Sequence, residues 1–87
     1  MIVRILSEGQ YRVEGSTLDE INRLDEELLD ALTRGESDRF HHLLNRVAAL
    51  VRTGQALDAE HLVESDLVLP ATDTTLEEAQ RLFSDPS

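Results

Sequence analysis

Cysteine is absent from the 87 residues and so is lysine, because all eight basic side chains are arginine. Without cysteine there is no disulfide, no thiolate zinc site and no sulfur nucleophile, and the chain suits a reducing compartment. Without lysine there is no amine for Schiff-base or general-base work, which excludes pyridoxal-type chemistry. No apolar run approaches the ~18 residues of a membrane-spanning helix. The opening Met1-Ile2-Val3-Arg4-Ile5 carries its charge inside the apolar run, unlike a signal peptide. No glycine-rich phosphate loop is present, and Gly9, Gly15, Gly35 and Gly54 all fall at element boundaries. A chain this short buries little more than ~60% of its unfolded surface, so one thin core with no room for an elaborate enclosed active site is expected.

What is abundant is negative charge: 18 acidic against 8 basic residues, a net charge of −10. Neutralising phosphates requires clustered arginine or lysine, and anionic bilayers make the same demand, so neither nucleic-acid binding nor direct membrane insertion is expected. The composition reads as that of a soluble, cytoplasmic protein.

Ile2 to Leu6 and Tyr11 to Glu14 are rich in β-formers around Ser7-Glu8-Gly9-Gln10, which predicts a hairpin. A three-residue loop Ser7-Glu8-Gly9, with Gly9 left-handed, would set Val3 against Val13, Ile5 against Tyr11 and Arg4 against Arg12. A helix over 17–34 is predicted from the capping-box form Thr17-Leu18-Asp19-Glu20 and from Gly35 just past its end. Its apolar arc holds Leu18, Ile21, Leu24, Leu28, Leu29, Ala31 and Leu32, with Asp25 intruding; the opposite face carries Asp19, Glu20, Glu26, Glu27 and Asp30 against Arg23. A second helix over 38–53, capped by Ser37 and stopped by Gly54, places Phe40, Leu43, Leu44, Val47, Ala48, Leu50 and Val51 on one side. Its polar face is basic, through Arg39, Arg46 and Arg52. The short link predicts an antiparallel helical hairpin.

The helical period is lost from Gln55 to Asp73, a stretch without a basic residue, and Leu67-Val68-Leu69 before Pro70 suits an edge strand or a strap. A last helix is expected from Asp73 or Thr74, with Thr74-Thr75-Leu76-Glu77 as its capping box and Leu76, Ala79, Leu82 and Phe83 on its apolar side; it ends before Pro86. The expected fold is α+β: one small domain over residues 1–87, an N-terminal β-hairpin with a third short strand near 67–69, packed on an antiparallel helical hairpin plus a short C-terminal helix.

Candidate chemistry is sparse. His41 and His42 point about 100° apart on a helix and lack a second ligand cluster, and His61 stands alone beside Asp58 and Glu60, so no metal site is expected. Ser7, Ser16, Thr17, Ser37 and Thr74 sit where turns and caps want hydroxyls. Catalytic residues, cofactor and metal are each expected to be none. Asp25 must be paired, hydrogen-bonded or protonated, and is expected as a buried polar group meeting an arginine from the hairpin or second helix, or Tyr11, with a place at the stripe's edge reaching water as the alternative. Two interaction surfaces emerge: the second hairpin face, Ile2, Arg4, Leu6 and Arg12, and the acidic helix face, Glu20, Glu26, Glu27 and Asp30. A hairpin with two unpaired edges should gain a strand, from 67–69 or from another chain.

The opening Met1-Ile2-Val3-Arg4-Ile5-Leu6 with Glu8-Gly9-Gln10-Tyr11-Arg12-Val13, the Leu24-Asp25-Glu26-Glu27-Leu28 stretch, and Ser65-Asp66-Leu67-Val68-Leu69-Pro70 with Thr75-Leu76-Glu77-Glu78-Ala79 resemble the PspA-associated protein family, PspAA. The resemblance implies a non-enzymatic accessory partner of PspA, the coiled-coil, membrane-remodelling protein of the phage-shock envelope-stress response, with no catalytic residues to carry over. It implies a place at the inner face of the cell membrane, reached through that partner. The alternative expectation is a self-assembling, dimeric structural or regulatory domain with a different partner.

Overall fold

The computed structural model describes residues 1–6, 8–58 and 63–84, the last three by backbone alone. Strand β1 (Ile2–Ile5) buries Val3 and Ile5 while Arg4 between them stays in solvent, the period-two pattern of a strand with one covered face. The chain then forms β2 (Gly9–Arg12), α1 (Ser16–Arg34), α2 (Ser37–Arg52), β3 (Gln55–Ala56), β4 (Leu67–Leu69) and α3 (Leu76–Ser84). This is the expected α+β arrangement, with the third strand at 67–69 and one further strand, β3, that the sequence does not announce.

The hairpin register differs from the expected one by two residues. Val3 faces Tyr11 and Ile5 faces Gly9, while Arg4 faces Gln10 and Arg12 faces Ile2. Glu8 donates its amide to the Ile5 carbonyl at 3.0 Å, so the chain reverses one residue earlier and Gly9 opens β2 instead of closing the turn. A shift of two leaves every side chain on its original face, which is why hydrophobic alternation cannot distinguish the two registers. Val13 is still buried, its amide bonded to the Met1 carbonyl at 2.9 Å. The Arg4–Arg12 opposition does not arise. Ser7 lies outside the described residues.

Both long helices start one residue earlier than expected, and neither uses a side-chain cap. Gly15 and Glu36 occupy the cap positions of α1 and α2, and neither Thr17 nor Ser37 caps its helix. Gly35 ends α1 in the left-handed conformation, φ 70, with its amide and that of Glu36 donating to Leu32 and Ala31. Two residues of link then force α2 back along α1. Their apolar stripes meet each other and the sheet: Ile21, Leu24, Leu28 and Ala31 from α1, Phe40, Leu44, Val47 and Val51 from α2, and Val3, Ile5 and Leu69 from the strands are buried. Each large side chain so withdrawn contributes about 1.5–3 kcal/mol of transfer free energy. In α3 the capping box sits one residue later than expected: Glu78 donates its amide to Thr75 Oγ1, and that hydroxyl bonds Glu78 Oε1. Leu76 and Ala79 are buried as expected, whereas the side chains of Leu82 and Phe83, and Pro86, lie outside the described residues.

The four-stranded sheet has the order β3-β2-β1-β4. β4 runs parallel to β1, with Val3, Arg4 and Ile5 facing Leu67, Val68 and Leu69, and β3 pairs antiparallel with β2 through Arg12–Gln55 and Tyr11–Ala56. Asp66 fastens the start of this parallel pair twice, its amide donating to the Ile2 carbonyl and its carboxylate accepting from the Ile2 amide, each at 2.8 Å. β3 and β4 lie at opposite edges, and residues 63–65 cross the sheet on the way to β4. Gln10 shows where: its Nε2 donates to the Val63 carbonyl at 2.6 Å and to Ser65 Oγ at 2.8 Å, on the face that turns away from the helices.

Candidate functional site

The first candidate surface is the outer face of the sheet, and the traverse narrows it. Gln10 is buried there beneath residues 63–65, and Ile2 is half-buried. Arg4 and Arg12 remain exposed, and Leu6 and Val68 retain 36% and 43% exposure on the β1–β4 side. Both strands of the hairpin have acquired neighbours from the same chain, so the edge hydrogen bonds expected to recruit a strand are used internally. What is left of this face is a strip of Arg4, Leu6 and Val68, with Arg12 on the far side of Gln10.

The second candidate surface is the polar side of α1, where the residues divide into two groups. Glu20 is paired with Arg23 one turn on. Asp30 is held between Arg34 at 3.1 Å and Arg39 of α2 at 2.9 Å, and Arg39 also bonds Glu36 at 3.0 Å. Hydrogen bonds from Arg39 and then Arg34 hold the Asp30 carboxyl below its ordinary range. These two carboxylates are therefore engaged at home. Asp19, Glu26 and Glu27 are exposed and have no cation within ion-pair distance among the described residues.

Asp25 is not the buried, partnered group that the sequence leads one to expect. It lies half-buried at the margin of the apolar stripe, with neither an arginine nor Tyr11 bonded to it among the described residues. Among the described residues the buried polar side chains are instead Gln10 and Thr74. Loss of water, and then the neighbouring Glu26 charge, raise the Asp25 carboxyl above its ordinary range. Beside it, Leu29 keeps 44% of its surface exposed. Thus α1 presents a partly apolar flank with a carboxylate that lacks a cation, next to further free carboxylates.

A family model for PspA-associated proteins, PspAA, matches residues 1–87. The chain belongs to the PspAA family. Comparison with curated proteins and with solved structures found no match. Among the described residues of this PspAA chain, no helix is long and apolar enough to cross a membrane.

One histidine of the PspAA chain takes part in the packing. His41 donates Nε2–H to the Thr74 carbonyl at 3.1 Å and sets its ring edge-on against Phe40, 5.3 Å between centroids, which ties α2 to the turn before α3. His42 is exposed, and His61 and Glu60 lie outside the described residues. Among the described residues no three His, Asp or Glu side chains converge to hold a metal. Three positioning residues are invisible to sequence reasoning. Gln10 and Asp66 hold the traverse and the parallel strand, and Glu8 grips Arg52 of α2 with both carboxylate oxygens, one at 3.0 Å from Nε. Their partners are 53, 64 and 44 residues away, beyond the reach of any local pattern.

Proposed function

We propose that this chain is a non-catalytic accessory module that binds a PspA-like coiled-coil protein at the inner face of the cell membrane and modulates its assembly. The observation that carries this reading is the family match, which extends over residues 1–87. Charge supports it: a net −10 disfavours direct contact with anionic lipid and favours a basic protein surface, so the partner makes the membrane contact. The unengaged carboxylates of α1, Asp19, Glu26 and Glu27, suit such a contact, and they are the part of the acidic face that the internal arginines leave free.

The test is size-exclusion chromatography with light scattering, on the chain alone and mixed with its cognate PspA, at low and moderate salt. Co-elution that fades as salt rises is expected, because screening weakens exposed charge pairs within a Debye length of ~10 Å at 0.1 M. A chain that elutes unchanged in the presence of PspA at both salts would overturn the reading.

A further inference from the structure

Helix α1 carries two heptad seams. Ile21, Leu24, Leu28 and Ala31 follow one 3-4-3 spacing and are buried in the core. Leu18, Asn22, Asp25, Leu29 and Leu32 follow a second, 4-3-4-3, along the adjoining flank. Of these five only the last is fully buried: Leu32 lies where α3 arrives, with Gln80 Nε2 donating to the Leu32 carbonyl at 3.1 Å. Leu18 and Asp25 are half-buried, while Asn22 and Leu29 are exposed. From Leu18 to Leu29 the flank runs about three helical turns, roughly 16 Å.

We propose that this flank is the docking seam for a basic amphipathic helix of a partner coiled coil, whose apolar side chains lie on Leu18 and Leu29 and whose arginine or lysine meets Asp25. The spacing identifies the occupant as a helix, since alternating steps of three and four are what a second helix interdigitates with. The charges identify it as basic. Asp19 and Glu26 occupy the outward flanking positions of the seam and have no ion-pair partner among the described residues, and Asp25 sits within the seam itself, partly withdrawn from water without a cation. The inward flank is Ile21 and Leu28, already in the core, so a partner can satisfy charge only on the acidic side. A second copy of this chain does not fit: it would set Asp25, Asp19 and Glu26 against carboxylates of the same kind. The inference rests on the proposed function only for the identity of the partner; the seam and its sign are read from α1.

The experiment measures binding of the intact chain to two probes, its cognate PspA and a synthetic helical peptide with leucine at the seam positions and arginine on the flanks. An acidic peptide of the same pattern is the comparison. Leu29→Glu and Asp25→Arg place a charge or the wrong sign in the seam; Asp25→Asn is the gentler variant, and Glu77→Arg makes the same change of charge as Asp25→Arg but on α3. Circular dichroism melts confirm that each variant folds. The expected result is that both seam variants weaken binding of both probes about tenfold or more, as removal of an interface anchor does, whereas Glu77→Arg binds as the parent does. If PspA binds the parent and the seam variants equally well, the seam is wrong and the proposed function survives. If the basic peptide binds through the seam and PspA does not bind, the seam stands and its partner is another basic helix. Failure of the parent to bind the basic peptide, or equal binding of the acidic one, overturns the seam.

Discussion

Gly54→Ala tests a close approach between the end of α2 and β2. An alanine Cβ at this position would lie 2.4 Å from the Arg12 carbonyl oxygen and 3.2 Å from both the Arg12 carbonyl carbon and the Val51 carbonyl oxygen. Gly54 does not have a positive φ, so in open surroundings the substitution would stabilise the protein by ~0.4–1 kcal/mol through the unfolded chain. Here the obstructing atom is backbone. Arg12 belongs to β2, which is bonded to β1 on one side and β3 on the other, so the strand cannot yield alone. Forcing atoms into a filled space costs ~1–3 kcal/mol, which outweighs the entropic gain. With 87 residues and an unfolding entropy of ~2.1 cal/mol/K per residue, each kcal/mol shifts the melting temperature by ~5 °C. A net loss of ~1–2 kcal/mol therefore lowers Tm by ~5–10 °C, measured by calorimetry on the parent and variant at one concentration. A Tm equal to or above the parent's would refute the argument, because it would mean that α2 does not deliver its end against β2 as closely as described.

Other perturbations have distinct signatures. Phe40 has no exposed surface, so Phe40→Ala should cost ~3–5 kcal/mol in a denaturant titration; a loss below 1 kcal/mol would argue against its central place. Asp25→Asn should raise Tm at neutral pH. The folded-state pKa of Asp25 lies above its ordinary 3.8, so the folded protein bears the penalty of the charged form at high pH and sheds it as pH falls through that range; the advantage of the variant must vanish below about pH 3.8. Glu8 behaves oppositely. Its hydrogen bonds from Arg52 lower its pKa from 4.5, so its contribution is present above that pH and lost on acidification. Because the pair is partly exposed, Glu8→Gln should cost only ~0.2–1 kcal/mol at pH 7, and a double-mutant cycle with Arg52→Gln measures the coupling. Gln10→Ala removes the two hydrogen bonds to the traverse and should speed amide exchange at Leu57 and Asp66 more than at core helix amides such as Leu44; uniform acceleration would count against a local role.

The parts of the fold legible in the sequence are those written as periods. The stripes of α1 and α2 predict nearly every buried helical residue, because a helix repeats its buried face every three or four positions. What period cannot encode is distance along the chain. The hairpin register slipped by two because that slip is silent to facing, and β3 is two exposed residues without any alternation. The two threonines before α3 each offer a T-x-x-E box, and tertiary contact decides between them: Thr74 is drawn into the core, its carbonyl taken by His41, which leaves Thr75 to cap. For the candidate site, the acidic face was visible, but not which carboxylates are neutralised by Arg39 from the next helix. Asp25 stands out in the sequence as a carboxylate within an apolar stripe. Its half-buried position depends on how far the neighbouring elements cover α1, which no wheel of a single helix contains.

The parallel pairing of β1 with β4 also imposes an order in time. The hairpin and the helical pair close loops of a few residues each, whereas Ile2 meets Asp66 across 64 positions. Loop-closure entropy makes that meeting late, after the local units have formed. During synthesis from the N-terminal end, β1 exists with an open edge for as long as it takes the following sixty or so residues to emerge, several seconds at ~5–20 residues per second. Arg4, at the centre of that edge strand, and the Glu8 turn place charge where a stray strand would otherwise pair. These two charges thus guard the unfinished chain before β4 arrives to cover the open edge.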